Sequence, residues 1–394
     1  MIEAGTIDQV HCKVRAALVA AALSAALAGC GGGGGSGMQS TATTTSTHQT
    51  APVNDKGLWI ANGTNVLEYL PGQITAGSAA TPPHLMLNSG AFGAPQGVTF
   101  DTAGNLWVMD PQGMVNGAQS PALFEFSAAQ LAALGGNDKP DPVATITSTS
   151  LAFPQQSVFD AQGNQWVTDH NNNTVLVFTA AQLAHGGMSD VNPAVIITSA
   201  DFNGPLGIAF DAYGNLFIAN NGGVPGANGA TSAAGTTIVE FLAAHLPVAP
   251  QTGMVTPDLT PDASLSDDGH GSVQAPWALV FDAKGDLWSS NANAPFTLVE
   301  FLPSDLGATQ APTPAVTINP VTVNGNASLN APNGICFDNI GDLAAMNSAG
   351  AFGVAFFGAG QLMNGGAVTP DTFIVGTATT LNAPAGCNFG PAVN

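Results

Sequence analysis

Short apolar runs separated by turn residues fill most of this chain, and they return in a fixed order. Residues 94–110 read APQGVTFDTAGNLWVMD. A proline leads into an apolar run ending at Phe100, Asp101 and Gly104 bracket a turn, and a second apolar run closes on Asp110. The arrangement returns as FPQQSVFDAQGNQWVTD (153–169), GPLGIAFDAYGNLFIAN (204–220), APWALVFDAKGDLWSSN (275–291) and APNGICFDNIGDLAAMN (331–347). Self-similarity at a spacing of about 50–70 residues marks an array of supersecondary units. A third run follows in each unit: ALFEF (122–126), TVLVF (174–178), TIVEF (237–241), TLVEF (297–301) and GVAFF (353–357). Next comes a polar-alanine piece such as SAAQLAAL (127–134), TAAQLA (179–184) or GAGQL (358–362), which predicts one helical turn. Most units then carry a fourth run: VATITS (143–148), AVIITS (194–199), AVTIN (315–319) and TFIVG (372–376).

Four runs of β-favouring residues joined by turns predict a four-stranded meander. Asp suits the first position of the turn between the first two strands, and Gly the last. The runs are apolar at successive positions instead of alternating, so both faces of each sheet are expected to be buried, as in blades packed on neighbours. The chain ends settle the number of blades. KGLWIANGTNVLEYLPGQI (56–74) matches the second and third strands but lacks the leading one, and APAGCNFG (383–390) is a leading strand and nothing more. Together they complete one blade, which removes open edges from the ring. The expectation is an all-β, six-bladed β-propeller of four-stranded antiparallel blades, closed by pairing N- and C-terminal strands, with leading strands near residues 98, 157, 208, 279, 335 and 387.

Composition narrows the chemistry. Charged residues are 8% of the 394, yet the net charge is −21. The basic residues are Lys13, Arg15, Lys56, Lys139 and Lys284. Nucleic-acid binding needs cations to neutralise phosphates, so no nucleic-acid partner is expected. Phosphorylated substrates are disfavoured for the same reason.

Residues 13–30, KVRAALVAAALSAALAGC, join a short basic region to an apolar segment too short for a permanent membrane span. Leu27-Ala28-Gly29-Cys30 resembles the lipobox of bacterial lipoproteins. The resemblance implies cleavage before Cys30, a diacylglycerol on its thiol and membrane attachment through that lipid. Gly31, where an Asp would signal inner-membrane retention, points by the same analogy to the outer membrane. The stretch after it has no apolar period and is expected to be a flexible tether with a span of about 25–30 Å. The expected organisation is residues 1–29 signal peptide, 30–55 lipidated Cys and tether, and 56–394 propeller.

The unit Pro-x-Gly-(apolar)-x-Phe-Asp-x-x-Gly-Asn-Leu-Trp-Val-x-Asp is similar to the NHL repeat. It resembles the wider group of six-bladed propellers that includes gluconolactonase-like and streptogramin-lyase-like proteins. NHL repeats often carry an Arg in the third strand, and none stands there in this chain. In propellers of this type, residues just before the first strand and just after the second meet on the ligand-bearing face. The first set here includes Gln96, Gln155, Gln156, Trp277 and Asn333; the second is Asn62, Asp110, Asp169, Asn220, Asn291 and Asn347. One reading is a polar ring for a cation or a neutral polar ligand. The other is that these residues cap strand ends, as Asn and Asp do. The sequence leaves both standing.

Gluconolactonase-like relatives hold a divalent metal with a channel Glu. Here Glu68, Glu125, Glu240 and Glu300 share one third-strand position, so none is expected in the channel. A lyase-like activity needs a channel His for proton abstraction, and His170, after Asp169, is the candidate; His84, His185 and His245 fall in outer segments. Metal candidates, for Ca²⁺ or another divalent cation, are Asp110, Asp169 and Asn220, with Asp262, Asp267, Asp268 and His270 in the fourth unit's exit segment. That unit carries two long segments, 220–237 and 251–274, both expected on the ligand-bearing face. Cys336 and Cys387 lie in neighbouring leading strands, one residue out of phase in the repeat, so a disulfide between them is open to an exported protein. The sequence favours a binding or scaffold protein for a neutral ligand or protein partner, with a metal-dependent hydrolase or lyase as the alternative.

Overall fold

The computed structural model describes residues 54–74, 81–184, 187–222, 236–249 and 254–393. The signal, Cys30, the tether, His185 and most of the 220–237 segment lie outside them. The described residues form six blades around a central channel. In the closing blade the inner strand Pro384–Pro391 pairs antiparallel with Lys56–Asn62, followed outward by Asn65–Tyr69 and Leu85–Leu87. The other inner strands are Gly97–Phe100, Pro154–Phe159, Pro205–Phe210, Pro276–Phe281 and Pro332–Phe337. Each contacts the next around the ring, and the last contacts Pro384–Pro391. The second and third strands are buried at nearly every position, as their unbroken apolar runs require.

Turn chemistry builds each blade. Asp101 Oδ1 accepts from the N–H groups of Ala103 and Asn105, and its Oδ2 accepts from Asn105 Nδ2. Asn105 Oδ1 then accepts from Ala128 N, fixing the start of the helical turn Ala128–Leu131. Asp160 with Asn164, and Asp211 with Asn215, repeat this arrangement. The turn glycine sits at positive φ, +81° at Gly104 and +77° at Gly163, where an L side chain is disfavoured.

The Pro-x-Gly glycines serve a different need, close approach at the channel. A Cβ on Gly97 would collide with the carbonyl oxygen of Gln155 in the next inner strand, and one on Gly334 with that of Ala385. The inner strands therefore touch backbone to backbone, and Cys336 and Cys387 meet across the last interface in a disulfide with a Cα separation of 6.0 Å.

Two details depart from the sequence expectation. The outer strands of the closing and fourth blades, Leu85–Leu87 and Ala263–Leu265, do not stand out as runs because, unlike the equally short Val195–Ile197, they carry no β-branched residue. The exit segment of the fourth blade is also split between faces. Residues 255–259 run parallel to the third blade's outer strand Val195–Ile197, bonded through Ile196 N to Val255 O and Thr198 N to Pro257 O. Only the part after Leu265 returns to the face where second strands end. Comparable straps cover other blades: Asn137–Asp138 lies parallel on Leu85–Leu87, Gly187–Asp190 on Ala144–Thr147, Gln310 on Leu265, and Gly366–Ala367 on Val316–Asn319.

The C-terminal hook fastens the closing blade. Trp59 Nε1 donates to Pro391 O at 3.1 Å, and Val393 N donates to Glu68 Oε1 at 2.8 Å. The Val393 side chain is buried in the cluster shared with Trp59, Leu106 and Phe126. Glu68 is fully buried, and its Oε2 has no hydrogen-bond partner. Burial pushes its pKa up to about 7, against the lowering effect of the Val393 N–H. The folded state therefore holds a proton on Glu68 that the unfolded chain releases near pH 4.5, so this group's contribution to stability falls as pH rises from about 4.5 to about 7. The cost is up to about 1.4 kcal/mol per pH unit across that window. Glu68→Gln keeps the shape and the acceptor for Val393 N without the titration. Urea unfolding at a series of pH values should show the variant gaining about 2–3 kcal/mol on the wild type between pH 5 and 8; parallel curves would show that Glu68 ionises freely in the fold.

Candidate functional site

The six residues that end the second strands are all buried, with 0–1% of their surface exposed. Their polar atoms are engaged by one shared scheme. Asn220 Oδ1 accepts from Asn203 N at 3.0 Å, Asn291 from Gln274 N at 2.9 Å and Asn347 from Asn330 N at 2.9 Å, each partner 17 residues earlier. Their Nδ2 atoms donate to the carbonyls of Asp201, Ser272 and Ser328, two residues before those donors. Asn62 makes the same pair of bonds across the chain ends, to Asn382 N at 2.6 Å and Thr380 O at 3.2 Å.

Asp110 and Asp169 follow the rule with one change. Asp110 accepts from Gly93 N, Ala94 N and Gln112 N, and Asp169 from Ala152 N and Phe153 N. In these two blades the earlier carbonyl already has a donor: Met114 N for Ala91 O, and Asn172 Nδ2 for Ser150 O. A second amide faces the side chain instead of a carbonyl, and a carboxylate is the group that accepts from both. Burial raises the pKa of both carboxyls while these N–H donors pull it down. All six residues thus staple the segment that enters the inner strand.

The first-strand set lies where neighbouring inner strands touch. Gln96 O accepts from Gly386 N at 2.8 Å, and Gln96 Nε2 donates to Ala94 O. The carbonyls of Gln155 and Trp277 lie against Gly97 and Gly207. Asn333 is half-buried, with an Oδ1 that has no hydrogen-bond partner. Gln156 lines the channel itself. There a cavity of about 300 Å³ is bounded by all six inner strands, with Thr99, Gln156, Ser157 and Asn388 as its polar side chains and the Cys336–Cys387 disulfide in its wall. None of the lining side chains is ionisable.

His170 is half-buried beside the channel-facing set but does not line this cavity. Its Nδ1 lies 3.1 Å from Asn171 Oδ1, and its ring packs at 6.2 Å from Phe153. The acidic residues of the fourth blade are not one group. Asp262 pairs with His245 Nδ1 at 2.6 Å before the outer strand, at the end where the Asp-x-x-Gly turns lie. Asp267 and Asp268 come after that strand, at the opposite end. Asp267 Oδ1 accepts from Gly269 N and Gly271 N, while Asp268 accepts from His270 N and Thr313 Oγ1. Slight burial raises the Asp268 pKa, but those bonds and Ser272 bring it below the usual range.

Among the described residues, the acidic group close enough to share an ion is one the sequence reading passed over. Oxygens of Asp282, Asp286 and Glu300 lie within 4.8 Å of one another. Asp286 stands where the preceding blades have Asn105, Asn164 and Asn215, so a bridging amide is replaced by a second carboxylate. That substitution was the available signal. Burial and then Asp282 raise the Asp286 pKa; burial and then Asp286 raise that of Glu300. Lys284 supplies a cation at 3.5 Å from Asp282 and 3.7 Å from Asp286.

Comparison with solved structures gives the fold. A periplasmic gluconolactonase from Pseudomonas aeruginosa superposes with a TM-score of 0.52 at 14% identity, over 86% of this chain and 99% of that one. A protein of unknown function from Bacteroides caccae does so at 0.52 and 10% identity, over 86% and 100%. A streptogramin B lyase matches at 0.39 and 14% identity, over 68% of this chain and 66% of its own. No protein-family model matches the sequence, and no curated protein does. The two likenesses at 0.52 support the six-bladed propeller architecture.

The staple scheme makes a graded forecast at Asp110. Asp110→Ala orphans the amides of Gly93, Ala94 and Gln112 and should cost about 2–4 kcal/mol in urea unfolding. Asp110→Asn, the residue that four sister blades use, should cost about half as much or less. Equal losses for the two variants would count against the scheme.

Proposed function

We propose that this chain is an envelope lipoprotein whose propeller binds a small neutral ligand in its central channel. One observation carries the reading: the channel cavity is bounded by all six inner strands and offers hydrogen-bonding groups with no ionisable side chain. Such a cavity can hold and orient a polar molecule through Thr99, Gln156, Ser157 and Asn388. General acid–base chemistry needs a titratable group in reach of the substrate; the Asp110 and Asp169 carboxylates are occupied as staples, and His170 does not line the cavity. This disfavours the metal-dependent hydrolase or lyase. The anchor rests on the lipobox-like LAGC and Gly31. Among the described residues no helix is long and apolar enough to cross a membrane.

A thermal-shift screen of the full chain tests the channel. A neutral polar compound should raise the melting temperature, by the equivalent of about 2.7 kcal/mol at a hundredfold excess over Kd, and Gln156→Leu should abolish the rise. Ca²⁺, Mg²⁺ and chelator should leave it unchanged. A metal-dependent rise accompanied by lactone hydrolysis or elimination would overturn the reading. The anchor has its own check: Cys30→Ser should move the protein from the membrane pellet to the soluble fraction, and unchanged partitioning would refute lipidation at Cys30.

A further inference from the structure

On the face where the Asp-x-x-Gly turns lie, the third and fourth blades leave an open cleft of about 930 Å³ between them. Its floor is aromatic. Trp166 meets Phe210 edge-on, with ring centroids 5.4 Å apart and planes at 88°, and Phe159 lies beside them. Its rim is unusually apolar. Tyr213 is 85% exposed and Val248 is 91% exposed. Nothing in the repeat demands Tyr213, since its position is held by Ala103, Gln162, Lys284 and Ile340 in other blades. Met254 and Val255, on the strap that covers the third blade, are exposed as well. These four make up half of the large apolar side chains exposed among the described residues, and two of them, Tyr213 and Val248, line this cleft. Grouped exposed apolar surface marks a contact site more often than scattered residues do.

Charge says what would sit there. Asp160 and Asp211 line the cleft, each carboxylate held by its own turn's amides. No lysine or arginine lines it, and the described lysines, Lys56, Lys139 and Lys284, belong to other blades or their connections. An apolar floor and apolar rim residues beside two carboxylates complement an apolar anchor with cationic flanks. A second copy of this chain is a poor match, because each carries a net charge of −21 and brings the same two carboxylates. We propose that this cleft docks a segment of a partner protein in which a large apolar or aromatic side chain is flanked by lysines or arginines. The site lies at the opposite end of the blades from the staples and is independent of any ligand in the channel.

Panning a random-peptide display library against the full chain tests it. The expected selection is for aromatic or large aliphatic residues next to Lys or Arg. Binding of a selected peptide should weaken as salt rises and fall by about tenfold or more, or 1.4 kcal/mol, in Tyr213→Ser and Val248→Ser. Both side chains are exposed, so the variants should melt with the wild type, and the channel assay should not change. Three outcomes would overturn the proposal: no selection, selection of acidic or uncharged peptides, or binding that both variants leave intact. Self-association of the protein that disappears in Val248→Ser would assign the cleft to a second copy and overturn it too.

Discussion

Everything in this ring depends on how the chain enters the inner strand of each blade. That entry is a polar segment in an apolar assembly, and its amides must find partners before the strand can pack at the channel. One buried side chain at the end of the second strand meets the need in every blade. The bond couples three things: where the second strand stops, where the inner strand starts, and how the connecting segment crosses between blades. In the blades with Asn the residue before the proline is left-handed, at Gly204, Ala275, Ala331 and Ala383. For the three alanines that conformation is unfavourable by itself and persists because the surrounding structure imposes it.

The closing blade applies the same rule across the greatest sequence distance. Asn62 reaches Asn382 and Thr380 as its counterparts reach residues in their own repeat. The pairing of Lys56–Asn62 with Pro384–Pro391, the disulfide and the Val393 hook add separate holds on one junction. Glu68 is the weak member of that set, because a buried carboxyl whose second oxygen has no partner prefers to be neutral.

Much of the architecture was legible in the sequence because the Phe-Asp-x-x-Gly unit repeats and its turn chemistry is local. Asp101 and Gly104 announce a turn whatever surrounds them. Two of the three three-residue outer strands were not legible, since Leu85–Leu87 and Ala263–Leu265 lack β-branched residues and are strands only by virtue of their neighbours. The straps were hidden for a similar reason: Asn137–Asp138 is a polar dipeptide whose partner lies in another blade. At the site, the recurrence of Asp or Asn could be read directly, but its partners 17 and 19 residues back could not. Whether a blade uses Asp or Asn turns on a third residue, Met114 or Asn172, that already occupies a carbonyl. The cleft had a signal in Tyr213, an aromatic residue at a turn position, but its meaning depended on which blade stood beside it.

The straps carry a consequence for solubility. The outer strand of a blade is a row of unpaired backbone groups, and proteins commonly guard such edges with lysine or other charges. This chain has three lysines after residue 30 with which to do so. Among the described residues, five of the six outer strands are instead covered by a segment lent from the following blade. Protection against edge-to-edge aggregation is thereby moved from side-chain charge to chain routing, and a strap that lets go would expose a template for intermolecular β-pairing.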